Sequence, residues 1–211
     1  MKEQVYLLMK KYAEMMIEQS KFVGSSPMLL FKTDEAIYAT KAGADFLQLN
    51  PDHIEIADVS RAEVQFLKTE REMNALVISQ TPFCQRCLKE GKEIRAVLDD
   101  MAQIIGPRAR IIDGTFGSLQ KALKGSAGCL VKDGFIHETG YTVTAGRNLY
   151  EAVVAMTVLE KSAEVFLKAE VLGGGKPINP LEVKLMRRTY KKKYSKAEQT
   201  VKAKEGKDSP S

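Results

Sequence analysis

The sequence predicts an α/β domain, a mixed sheet covered by helices, on three observations. Short apolar runs of strand length arrive both as a hairpin and singly between helices. Segments with apolar residues at helical spacing separate many of them, the strongest opening at Leu149. A chain of 211 residues, 44% of them hydrophobic, suffices for one domain with a substantial core.

Val5, Leu8, Met9, Tyr12, Met15 and Met16 fall at helical spacing, so residues 3–22 form a first helix, broken by Gly24-Ser25-Ser26-Pro27. Met28–Lys32 and Ala36–Thr40, parted by Thr33-Asp34-Glu35, carry a hairpin signal. After the Lys41-Ala42-Gly43 loop and the Asn50-Pro51-Asp52 turn, His53–Val59 alternates as a strand. Residues 61–72 read as helix and Asn74–Ile78 as a buried strand. Pro82 starts a helix to about Glu90, and Val97–Ile105 is a shorter one stopped by Gly106-Pro107. Arg110–Ile112 is a brief strand, 115–124 a helix, and Cys129–Val131 and Tyr141–Thr144 are strands flanking a loop. The last large helix buries Val153, Met156, Leu159, Ala163, Phe166 and Leu167, and Gly173-Gly174-Gly175 stops it. Residues 181–194 form a short amphipathic helix. The expected division is a domain over 1–175, a helical extension over 176–195 and a basic, disordered tail over 196–211.

The charge is uneven. Residues 176–211 hold eleven Lys/Arg against four Asp/Glu, whereas 1–175 hold 21 against 23. A basic tail suits nucleic acid or an anionic surface. No aromatic-interleaved RNA motif accompanies it, so a solvated tail is expected and nucleic acid is not. No apolar run reaches the roughly 20 residues needed to span a membrane. The N-terminus reads as an amphipathic helix and not as a signal peptide. Three cysteines without framework spacing point to a reducing cytoplasm.

Several landmarks resemble the class II aldolase/adducin family, in its order. Thr40-Lys41-Ala42-Gly43 is similar to the turn after its first hairpin, and Leu49-Asn50-Pro51-Asp52-His53-Ile54 to its lead into a strand ending near Asp58. Asn74-Ala75-Leu76-Val77-Ile78 resembles the strand before its His-x-His, and Leu98-Asp99-Asp100-Met101-Ala102-Gln103 a later helix. Gly146-Arg147-Asn148-Leu149-Tyr150-Glu151-Ala152 resembles the start of its final helix. The resemblance covers roughly residues 5–170. It implies a three-layer α/β/α domain with a central, mainly antiparallel mixed sheet, and a homotetramer with active sites between subunits.

Active members of that family cleave a carbon–carbon bond in a sugar phosphate, with zinc as the Lewis acid. Zinc needs neutral imidazoles at fixed spacing. The resemblance puts Ser79 and Thr81 at the first two histidine positions and Asp133 at the third. Hydroxyls are poor zinc ligands beside imidazole, so the family zinc is expected to be lost and no cofactor is expected. The chain has two histidines. His53 reads as a surface residue, and His137 as a loop histidine that a shifted loop would bring inward.

The family's acid/base glutamate follows a Ser-Ser pair at a helix start. Its nearest match is Glu63, in Ser60-Arg61-Ala62-Glu63, with Glu70 as the alternative; both also fit exposed helix charges. The family's phosphate loops map onto Ser25, Ser26, Thr40, Gly43 and Ser60, with Ala42 replacing one serine. Hydroxyls and backbone amides at such turns suit a small anion. Lys132 is the nearest lysine for Schiff-base chemistry.

Cys84-Gln85-Arg86-Cys87 stands at a helix start, where the dipole and Arg86 would lower a thiol pKa; the alternative is two partly buried helix residues. Three functions stay open. The first is a zinc-free protein binding a sugar-phosphate-like, otherwise anionic or carbonyl ligand, or serving as an oligomeric module as adducin head domains do. The second is an aldehyde-lyase-like enzyme with relocated metal ligands. The third is a thiol redox protein.

Overall fold

The computed structural model describes residues 2–24, 26–132 and 140–205. Helix α1 (Lys2–Gln19) leads into the hairpin β1 (Met28–Lys32) and β2 (Ile37–Thr40). The hairpin turn is closed by Thr33, whose hydroxyl accepts from the Ala36 amide at 3.1 Å. Strand β3 (Ile54–Ile56), helix α2 (Ala62–Thr69) and strand β4 (Ala75–Ser79) follow, then α3 (Pro82–Lys89), β5 (Ile94–Arg95), β6 (Arg108–Ala109) and β7 (Ile111–Ile112). Helix α4 (Phe116–Leu123), β8 (Gly128–Val131), β9 (Tyr141–Gly146), α5 (Leu149–Val171) and α6 (Pro180–Glu205) complete the order.

Seven strands form one sheet in the order β3-β2-β1-β4-β9-β8-β7. Every neighbouring pair is antiparallel except β7 with β8. Strand β4 has partners on both sides and every residue from Ala75 to Ser79 is buried, as its unbroken Ala-Leu-Val-Ile run requires. Helices α2 and α4 cover one face through Val64, Phe66, Leu67, Leu119 and Leu123. Helices α1, α3 and α5 cover the other through Met9, Met16, Val153, Met156, Leu159 and Cys87. The expected α/β/α sandwich around a mainly antiparallel sheet is therefore present.

Helix α5 begins where Asn148 accepts the Glu151 amide at 2.9 Å, while the Glu151 carboxylate accepts the Arg147 amide at 3.0 Å. It stops where Gly173 and Gly174 take φ of +103° and +97°.

Several expected elements are shorter. The strand from His53 shrinks to Ile54–Ile56, because Asn50 caps a 3₁₀ turn over Pro51–His53. Helix α2 ends at Thr69, where the Glu70 carboxylate accepts the Arg71 and Glu72 amides at 2.9 and 3.2 Å. Within Val97–Ile105 the helix starts only at Asp99 and continues as a π-helical turn, Met101–Ile105; the Gly106 amide reaches back to the Met101 carbonyl at 2.8 Å. The β5–β6 pair has no counterpart among the elements expected from the sequence. Helix α6 runs on to Glu205, past the expected end at 194, because its Lys, Ala and Glu residues favour helix even without an apolar stripe.

Candidate functional site

Strand register gathers one end of the sheet. Met28 pairs with Ile78, Ser79 with Thr142, and Val131 with Tyr141. The start of β1, the ends of β4 and β8 and the start of β9 thus meet there.

Glu63 occupies the first turn of α2 and reaches this end. Its residue is 2% exposed. Tyr141 donates its hydroxyl to Glu63 Oε1 at 2.8 Å, and Arg61 Nε lies 3.5 Å from Oε2. Arg61 Nε and Nη2 are themselves buried, without a hydrogen bond, and a third nitrogen rests 3.6 Å from the Met28 sulfur. The reading of Glu63 as an exposed helix charge is thereby corrected. Glu63 sits three and four residues before Phe66 and Leu67, so helical geometry turns it onto their core-facing side. Glu70 sits at the other end of α2 and only caps it.

On the opposite face, Ser79 and Thr142 put their hydroxyl oxygens 2.9 Å apart, and Thr142 also donates to the Ser79 carbonyl at 3.0 Å. Ser79 is 2% and Thr81 1% exposed. Thr81 stands at the N-cap of α3 without capping it; Glu160 from α5 does so instead, accepting the Phe83 and Cys84 amides at 2.8 and 3.0 Å. Gln80 and Gln85 both donate to the Gly140 carbonyl, at 2.7 and 3.1 Å.

The loop positions are dispersed. Thr40 is fully buried, and its hydroxyl accepts the Leu29 amide at 3.0 Å. Gly43 has a φ of +77°, which closes the Lys41–Ala44 turn and explains glycine there. Ser60 is exposed and donates to Asp58 at 2.8 Å; with the Ser60 amide, that bond holds Asp58 below the usual carboxylate range. Ser26 is partly buried beside Gly24, whose absent side chain admits the Gln80 amide. Ser25, Asp133 and His137 lie outside the described residues. Lys132 is exposed, and His53 Nδ1 accepts the Asn50 amide at 3.3 Å.

The first two positions that resemblance assigns to imidazoles thus hold short hydroxyls, one of them paired with Thr142. Zinc does not fit that donor set. Among the described residues, no three His, Cys, Asp or Glu side chains gather as a metal site.

The low-pKa thiol reading is also corrected. Cys84 and Cys87 are buried and reduced. Burial and the nearby Glu160 push Cys84 well up, and burial pushes Cys87 up to about 12. Arg86 is exposed and bound to Glu90 at 2.8 Å, so it does not offset them.

Sequence reasoning missed Arg61, Gln80, Gln85 and Tyr141. Arg61 lay inside the motif that named Glu63, so its neighbourhood was a usable signal. Tyr141 is 78 residues from Glu63 in sequence, and only the sheet register joins them.

The sheet order and the helices on both faces give the chain the fold of the class II aldolases. Among solved structures, an L-fuculose 1-phosphate aldolase superposes with a TM-score of 0.77 at 18% identity, covering 89% of this chain and 96% of that one. The L-fuculose-1-phosphate aldolase of Thermus thermophilus gives 0.67 at 17%, covering 84% and 100%. By sequence, the L-fuculose phosphate aldolase of Methanococcus maripaludis is 24% identical over 167 residues, or 74% of this chain and 91% of that protein. No family model matches the chain.

Proposed function

We propose that this chain is a zinc-free protein on the class II aldolase fold, which binds a small anionic or carbonyl compound at the β4/β9 end and does not cleave sugar phosphates. The observation that carries this reading is the buried Ser79–Thr142 hydroxyl pair at a position where zinc chemistry would need an imidazole. Aldol cleavage needs strong stabilisation of the developing enediolate. Neither Ser79 nor Thr81 supplies a positive charge for it. Glu63, held by Tyr141 and Arg61, orients those groups at the sheet end. The chain acts in the cytoplasm as a homotetramer, with neither nucleic acid nor membrane as a partner. Consistent with the last point, no helix of the described residues is long and apolar enough to cross a membrane.

Elemental analysis of the purified protein, with a fuculose 1-phosphate cleavage assay, tests this. Substoichiometric zinc and no enzyme-like cleavage are expected. About one zinc per chain would overturn it, particularly if Cys84→Ser or His137→Ala removed the metal.

A second reading, an aldehyde-lyase-like enzyme with altered metal ligands, is favoured by the buried Glu63 carboxylate, a candidate general acid or base held by Tyr141. Cleavage by the wild-type protein that Glu63→Gln abolishes would support it.

A further inference from the structure

The opposite end of the sheet carries a cavity unrelated to the hydroxyl pair. It has a volume of about 240 Å³ and lies between the start of β8, the end of β9, the first turns of α5, the π-helical turn and α6. Its apolar wall comes from Met73, Ile104, Val154 and Ala155, and the rings of Tyr150 and Tyr190 also line it.

Its charges do not balance. The lining holds Arg147, Arg187 and Lys191 against Glu72 and Glu151. Glu151 accepts Arg147 Nε at 2.9 Å, and Glu72 lies 3.6 Å from Lys191. Both carboxylates therefore already have cations. Arg187 donates to the Ile104 carbonyl, and among the described residues no acidic side chain pairs with it. Loss of hydration depresses its ionisation below the usual arginine value, although a guanidinium stays charged at any physiological pH. A poorly hydrated cation without a counter-charge is costly to hold, so it calls for an anion.

We propose that this cavity binds a small organic monoanion, a carboxylate on an apolar or aromatic body, with the carboxylate on Arg187 and the body against Ile104, Val154 and Tyr150. One net positive charge matches one carboxylate. The planar guanidinium fork suits a carboxylate's two oxygens. The apolar wall selects against a bare inorganic anion, which would leave that wall wet. This site stands independently of any ligand at the β4/β9 end.

Benzoate, its neutral isostere benzamide and inorganic phosphate are the probes, read by thermal shift and calorimetry on the full chain. Benzoate is expected to raise the melting temperature through binding to the folded state, and benzamide and phosphate much less. Arg187→Met, which keeps the aliphatic bulk, should weaken benzoate by roughly tenfold or more. Val154→Phe fills the cavity without touching a charge and should also abolish the shift, so the test survives if one variant folds poorly. The proposal is overturned if benzoate leaves the melting temperature unmoved at tens of millimolar, if benzamide acts equally, or if the benzoate shift persists in both variants.

Discussion

The two ends of the sheet differ in how buried charge is balanced. At the β4/β9 end, Ser79 pairs with Thr142, Gln80 and Gln85 donate to the Gly140 carbonyl, and the Glu63 carboxylate lies beside the Arg61 guanidinium, although Gln85 Oε1 and Arg61 Nε and Nη2 are buried without a hydrogen bond. At the cavity end, Arg187 remains in electrostatic excess beside open space. A buried cation with a carboxylate beside it is compensated, whereas one without a counter-charge calls for an anion. The ligand site proposed above lies at the first end. The charge distribution points to the second as the place with room for a counter-ion.

The comparison breaks most readily at Glu63. Glu63→Ala leaves a buried tyrosine hydroxyl and the Arg61 cation without their carboxylate, so it should cost about 3–5 kcal/mol in urea unfolding. Glu63→Gln keeps an acceptor for Tyr141 and should cost less than half of that. Equal effects would mean that the charge contributes nothing and that Glu63 only fills space.

The hydroxyl pair should respond more weakly. Ser79→Ala leaves Thr142 its bond to the Ser79 carbonyl, so about 1 kcal/mol is expected. Thr142→Val strands the Ser79 hydroxyl and should cost slightly more. The double variant should fall well short of the sum, since two matched apolar groups replace two matched polar ones. Strict additivity in denaturation would show that the two hydroxyls are not coupled.

Much of the fold was legible in the sequence because its signals are local. The Ala-Leu-Val-Ile run of β4 and the stripe from Val153 to Phe166 can hardly fold otherwise. The β5–β6 pair escaped because two-residue strands carry no periodicity, and the register that joins them is a tertiary property. The π-helical turn at Met101–Ile105 reads as an ordinary helix in sequence, since the same residues fit either hydrogen-bond spacing. At the site, the types of residue at 79 and 81 were legible, but their burial and partners were not. Exposure of Glu63 was misjudged because its charge outweighed its position on the apolar side of α2. The excess of Arg187 was invisible for a different reason: it depends on where α6 docks, which the expected amphipathic helix over 181–194 does not specify.

The thiols extend the comparison to pH. Cys87 ionises near 9.0 when unfolded and is pushed up to about 12 in the fold. Above pH 9 the unfolded chain therefore releases a proton that the folded chain keeps. Stability is full below pH 9, falls as pH rises, and has lost this contribution by about 12. Cys87→Ala should flatten the alkaline limb of a melting-temperature profile relative to wild type. Thiol labelling of the native protein at pH 8 should be slow and should accelerate on unfolding, since all three cysteines are buried. Fast native labelling would refute the burial.

The smallest effect is expected at the end of α6. Val183 is fully buried and Arg187 and Lys191 line the cavity, so the first part of this helix belongs to the domain. From Lys196 to Glu205 the backbone stays helical, but the sequence, Lys-Ala-Glu-Gln-Thr-Val-Lys-Ala-Lys-Glu, offers one aliphatic residue larger than alanine and no stripe to bury. A helical turn without an apolar face adds little beyond its own marginal propensity. Truncation after Ser195 keeps every residue lining the cavity and should shift the melting temperature by less than about 2 °C, within what 1 kcal/mol produces in a domain of this size. Benzoate binding should persist unchanged in the truncated chain. A loss of several degrees would show that the basic segment docks against a surface, and a loss of benzoate binding with unchanged stability would show that it closes over the cavity.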